Sequence, residues 1–218
     1  MKWMTLEVDG HKGVFSNTLM RQAQPTRVLG LVYPGMSYSV DAPLLYYPAW
    51  MLADHGADVM LFQRLYSETP GFSGLPDIEQ EQWVLGDAVA ALRAALSQRP
   101  YQTLILVGKS LGTVSMAHLA ATETTLPNLR ALWLTPILTR EEVRTQIRRL
   151  GSRSVVAIGT ADRLYRKEWV DELRAAGATS VIIDGAGHGL QIPGQWQRSL
   201  NALTQVLEAF QALLQRST

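Results

Sequence analysis

Three short segments carry residues that could do chemistry together. Gly108-Lys109-Ser110-Leu111-Gly112 sets a serine between two glycines, Gly159-Thr160-Ala161-Asp162 ends in a carboxylate, and Asp184-Gly185-Ala186-Gly187-His188-Gly189 surrounds a histidine with glycine. A serine hydroxyl is a poor nucleophile until a base takes its proton and a third group orients that base. Ser110, His188 and Asp162 could fill those roles, and they occur along the chain in the order Ser, Asp, His. Small residues two places either side of Ser110 suit a sharp turn that brings a strand and a helix backbone close together. A helix opening just after the turn would leave the N–H of Leu111 free to stabilise an oxyanion.

Other residues compete for these roles less well. Asp184 is expected within a strand end, Glu168 and Asp171 belong to a following helix, and the segment after Leu134 offers no carboxylate before Glu141. Of the remaining histidines, His55 precedes Gly56 at an expected helix end, His118 lies two turns into a helix, and His11 sits in a turn. Gly108-Lys109-Ser110 is not the end of a phosphate-binding loop, because that motif needs glycine at 103, where Thr stands. Gly185 to Gly189 is not a dinucleotide fingerprint either: its third glycine would fall on Leu190, and no βαβ unit follows. With no Cys and four His, none of them paired at ligand spacing on one helix, neither a metal nor another cofactor is expected.

The elements that must hold these segments are legible in the apolar pattern. Val28 to Tyr33, Ala57 to Phe62, Leu104 to Val107, Ala131 to Leu134, Val155 to Ile158 and Val181 to Ile183 are continuous apolar runs, as strands covered on both faces require. Helical spacing links Leu85, Val89, Leu92 and Leu96, and again Trp196, Leu200, Leu203, Leu207, Phe210 and Leu214. Alternation of strand and helix predicts one α/β domain over 1–218, a parallel sheet with helices on both faces. Met4 to Val8 and Val14 to Arg21, around Asp9-Gly10-His11-Lys12-Gly13, predict an antiparallel hairpin at the sheet edge. The three chemical segments each follow an apolar run, where ligand crevices of open α/β sheets lie.

Composition narrows the partners. Lys and Arg total 20 against 19 Asp and Glu, a net charge of +1, so no general field draws the chain to nucleic acid or an anionic membrane. No run approaches about 18 apolar residues and the N-terminus has no signal-peptide core, so a cytoplasmic protein is expected.

Taken with their strand and helix context, the three motifs resemble those of the α/β-hydrolase family, from Met4 to about Leu214. The resemblance implies an eight-stranded, mostly parallel sheet, with Ser110 as nucleophile, Asp162 as acid and His188 as base. Within the family, the chain looks similar to a small subgroup of compact, dienelactone-hydrolase-like proteins. It also implies a second oxyanion donor from the loop Tyr33-Pro34-Gly35-Met36-Ser37, by position the N–H of Met36. Two residues depart from many relatives: Pro34-Gly35 stands where His-Gly is frequent, and Lys109 where an aromatic or small residue is frequent. The expected activity is hydrolysis of a small ester or thioester; the alternatives are acyl transfer by the same triad, or a non-catalytic binding or scaffolding protein that keeps the fold.

The segment after Leu134 sets the expected shape of the site. Thr139 and Glu142 have the spacing of a capping box, so a helix should begin almost at once and leave no room for an inserted lid. An open site favouring short acyl groups follows, with Trp83 and the loop Gly71 to Pro76 as the segments that could still supply a wall. Arg140, Arg144 and Arg148 share one helix face, which is either solvated or turned to the site to recognise an anion.

Overall fold

The six continuous apolar runs become six parallel strands, and both faces of that sheet are covered by helices. The computed structural model describes residues 1–123 and 128–216. In chain order the elements are β1 (Lys2–Gly10), β2 (Gly13–Arg21), β3 (Val28–Tyr33), α1 (Pro43–Asp54), β4 (Asp58–Leu61), α2 (Asp77–Leu96) and β5 (Thr103–Lys109). They continue with α3 (Leu111–Thr122), β6 (Asn128–Leu134), α4 (Glu141–Leu150), β7 (Ser154–Gly159), α5 (Lys167–Ala175), β8 (Thr179–Ile183) and α6 (Trp196–Gln215). The sheet order is β1-β2-β4-β3-β5-β6-β7-β8. Strands from β4 to β8 in that order are parallel, whereas β1 pairs antiparallel with β2, and β2 with β4. The expected edge hairpin is present but longer and tighter than the sequence suggested. Gly10 pairs with Gly13, so only His11 and Lys12 form the turn.

Alternate residues of each parallel strand feed two cores. Leu104, Leu106 and Trp133 face α2 to α5, while Ile105, Val107, Leu132 and Leu134 face α1 and α6. Of the residues expected on the buried stripes, Leu92 and Phe210 are buried, but the stripes are otherwise shifted. In α2 the buried line runs through Val84, Ala88, Ala91 and Ala95, and in α6 through Ala202, Val206, Phe210 and Leu213. Trp196 and Leu200 are 67% and 56% exposed. In α2 the contact face is mostly alanine, which a count of large apolar residues passes over but which lets the helix axis come close to the sheet.

The cap expected at Thr139 is not formed. Arg140 is the N-cap of α4 and no side chain caps it; Glu142 is engaged by the Arg140 guanidinium instead. Glu141 and Glu142 in the first turn and Arg148 and Arg149 in the last still suit the helix dipole. The consequence drawn from the spacing survives, since only residues 135–140 separate β6 from α4. Among the described residues no helix is long and apolar enough to cross a membrane.

Candidate active site

Ser110 stands between the end of β5 and the start of α3 with φ 50° and ψ −114°, a conformation that L side chains rarely adopt. Its N–H donates to the Leu134 carbonyl of the neighbouring strand at 3.0 Å, and its carbonyl accepts from Thr113 N–H at 2.9 Å and from the Thr113 hydroxyl at 2.6 Å. These bonds fix the strained turn from both sides. A Cβ at Gly112 would meet the carbonyl oxygens of Tyr33 and Pro34 at 2.6 and 2.7 Å, and one at Gly108 would meet Met116 Sδ at 2.5 Å. The glycines flanking Ser110 are therefore demanded by close packing of β3, β5 and α3. Positive φ recurs in non-glycine residues at Thr135, after β6, and at Leu190, two residues past His188.

The structure brings Asp162 and His188 together. Asp162 Oδ2 lies 2.8 Å from His188 Nδ1, and its Oδ1 accepts from Leu164 N–H at 3.0 Å. Two loops are stitched to make that contact: Ala161 N–H donates to the Ala186 carbonyl, and Gly185 N–H to Thr160 Oγ1. A Cβ at Gly159 would overlap that Ala186 carbonyl, at 1.9 Å, so only glycine lets the loops cross there. The Asp162 side chain is fully buried and that of His188 is 34% exposed. Burial alone would raise the Asp162 carboxyl, but the hydrogen bonds from His188 and Leu164, with the charges of His188 and Lys109, hold it below its ordinary value. An ionised carboxylate only accepts, so a neutral His188 carries its proton on Nδ1 and presents Nε2 as an acceptor. Among the described residues no hydrogen bond joins the Ser110 hydroxyl to His188. Asp184, exposed and just past β8, accepts from Thr160 Oγ1 at 3.1 Å and takes no part in the pair.

The loop after β3 lies against the nucleophile turn, since a Cβ at Gly35 would sit 3.7 Å from that of Ser110. Gly35 N–H donates to the Tyr38 carbonyl at 3.0 Å, and the Met36 carbonyl accepts from Ser67 N–H at 3.1 Å. Among the described residues the N–H groups of Met36 and Leu111 donate to no protein acceptor, and Leu111 opens α3, where amides have no intrahelical partner. Lys109 is buried, with Nζ 4.7 Å from the centroid of the Tyr38 ring. Desolvation pushes its ammonium down to about 8, against the pull of the Asp162 charge. The sequence marked Lys109 as unusual but gave no sign of its burial, which follows from β5 extending to that residue.

A cleft of 230 Å³ opens beside Leu111 and Met36. Phe72, from the loop 71–76, supplies one wall, and Val84, Val114 and Ile137 others. The loop therefore supplies the wall that the open-site expectation lacked, whereas Trp83 lies beneath it, packed edge-on against Phe72 at 5.7 Å. Of the arginine row only Arg140 reaches the cleft, and it is held by Glu81 and Glu142. Arg144 binds Glu141 and lies over Trp169, and Arg148 binds Glu141 and Glu172. The row is an ion-pair network rather than an open anion receptor. Among the described residues no three His, Asp or Glu side chains converge as a metal site would require.

No protein-family model matches the chain. No curated protein matches it in sequence. Solved structures do match it over nearly its whole length. A lidless α/β serine hydrolase from Xanthomonas campestris aligns with a TM-score of 0.68 at 19% identity, covering 100% of this chain and 98% of that one. An α/β serine hydrolase homologue from Coxiella burnetii gives 0.69 at 16% identity, covering 94% and 96%. An esterase from Pyrococcus furiosus gives 0.65 at 14% identity, covering 95% and 90%. The chain has the α/β-hydrolase fold without a lid, and these neighbours are serine hydrolases and esterases.

Proposed function

We propose that the chain is a cytoplasmic serine hydrolase that cleaves a small ester or thioester through an acyl-enzyme on Ser110, with no nucleic-acid or membrane partner. The observation that carries the reading is the Asp162–His188 pair, formed by two stitched loops at the sheet end where the strained Ser110 turn sits. His188 Nε2 takes the Ser110 proton as Oγ bonds to the substrate carbonyl carbon, and Asp162 stabilises the imidazolium that results. The oxyanion is received by the N–H groups of Leu111 and Met36, which have no competing acceptor among the described residues. The imidazolium then gives its proton to the departing alcohol or thiol. A water, deprotonated by His188, attacks the acyl carbon, and collapse of the second tetrahedral intermediate returns the proton to Ser110 as the acid leaves.

The test is fluorophosphonate labelling combined with turnover of p-nitrophenyl acetate. Wild-type protein should label once and turn over, and Ser110→Ala should do neither while its circular dichroism is unchanged. Labelling that persists in Ser110→Ala overturns the assignment.

A further inference from the structure

The cleft beside the nucleophile turn has two unlike ends. Next to Ser110 its walls are apolar, with Leu111 and Val114 from α3, Ile137 from the loop after β6, and Phe72. That loop is tied to the nucleophile helix, because Ile137 N–H donates to Thr113 Oγ1 at 3.2 Å. Away from the turn, where the start of α2 meets the start of α4, the lining turns polar, with Asp77 and Gln80 beside the ion pair of Glu81 and Arg140. Those side chains are 32% and 40% exposed, so water solvates the pair from the open side.

We propose that this cleft receives the acyl chain of the substrate and that the Arg140–Glu81 pair is its end stop, restricting the enzyme to short, uncharged acyl groups. The inference rests on the acyl-enzyme reading for Ser110. At 230 Å³ the cleft is smaller than the ~300–1,000 Å³ pockets that bury drug-sized ligands, so one short chain fills it. Each methylene laid against the apolar walls leaves water and should improve kcat/KM by about fourfold. A methyl group pushed onto the pair would strip water from two charges without giving a hydrogen bond in return, so the gain ends there. A terminal carboxylate fares no better, because Arg140 already has two carboxylate partners in Glu81 and Glu142.

The experiment is kcat/KM for p-nitrophenyl esters from acetate to decanoate. For the wild type, the profile should rise and then flatten or fall at roughly four to six acyl carbons. In Glu81→Met/Arg140→Met, which replaces both charges together with apolar residues of similar reach, the rise should continue for at least two more carbons, a gain of about tenfold or more at octanoate. Ile137→Trp, which narrows the cleft without touching the pair, should move the break to shorter chains. A wild-type profile that climbs steadily to decanoate, or a break that stays in place in Glu81→Met/Arg140→Met, overturns the end stop. If Ser110→Ala still abolishes acetate turnover, that failure leaves the hydrolase reading standing; if acetate turnover survives, it is the hydrolase reading that falls.

Discussion

Asp162 and Asp87 are both aspartates with no exposed side-chain surface, and they are held in opposite ways. Asp87, on α2, accepts from His11 N–H and Arg64 Nη1, each at 2.7 Å, and from the Tyr66 hydroxyl at 3.0 Å. The donors there are an amide, a guanidinium, and a phenol that burial and the Asp87 charge push far up. Asp58 is built alike, from Gln22 N–H, Arg99 and the Tyr101 hydroxyl. Asp162 is paired instead with the imidazole of His188, a group that can take up or release a proton on its second nitrogen and that keeps a third of its side chain in water. Burial of a carboxylate is therefore not the mark of a reactive site. What distinguishes one is a partner that can exchange its proton.

The largest expected effect separates the two aspartates. Asp162→Asn should lower kcat by about 10⁴, because the amide favours the wrong imidazole tautomer, and should move the melting temperature by only a few degrees. Asp87→Asn should leave kcat per folded molecule within about twofold and cost about 3 to 5 kcal/mol of stability, since Arg64 would stay buried without its counter-charge. For a chain of this size that is a fall in Tm of roughly 6 to 20 °C. Parallel denaturation and kinetics on the two variants check the contrast, which fails if Asp87→Asn loses turnover while staying folded. His188→Ala added to Asp162→Asn should cost little beyond the worse single change, because members of one proton relay act as a unit.

Next in size is the oxyanion loop. Met36→Pro deletes one backbone donor and should reduce kcat by about 10² to 10³ with KM little changed. Its Gly35 neighbour already spends its N–H on Tyr38, so it could not substitute. Full activity in a folded Met36→Pro protein would move the second donor to another residue of the loop.

The same contrast explains what the sequence discloses. Ser110, Asp162 and His188 each follow an apolar strand and sit among small residues, so strand periodicity and glycine spacing expose them. Asp87 falls inside a helical pattern with no motif around it; its partners, His11, Arg64 and Tyr66, lie 76, 23 and 21 residues away and meet only when the hairpin folds over α2. The contact face of α2 is less legible, because alanine is nearly silent in a hydrophobicity pattern yet decides how closely a helix can approach. The capping box at Thr139 failed because Arg140 took the glutamate that would have closed it. Local chemistry at strand ends is written locally, whereas long-range ion pairs and contact faces are settled by tertiary packing.

Lys109 sharpens the comparison, because it is a buried charge with neither kind of partner. Its Nζ lies over the Tyr38 ring and feels Asp162 at a distance, but no carboxylate binds it directly among the described residues. Its ordinary value of 10.5 is lowered to about 8 in the folded protein. Below pH 8 both folded and unfolded chains hold the proton, and the folded state bears the full cost of the buried ammonium, on the order of 3 kcal/mol. Between about 8 and 10.5 the unfolded chain binds more protons than the folded one, so this group's contribution to stability improves as pH rises through that window. Lys109→Met removes the ammonium and keeps a long apolar side chain over Tyr38. The variant should be more stable than wild type at pH 7, by less than that cost because the cation–π contact is lost too. Its advantage should shrink as denaturant midpoints are measured from pH 7 to pH 10. An advantage that stays constant across the range would mean that Lys109 keeps an unperturbed proton and is paired after all, as Arg64 is with Asp87.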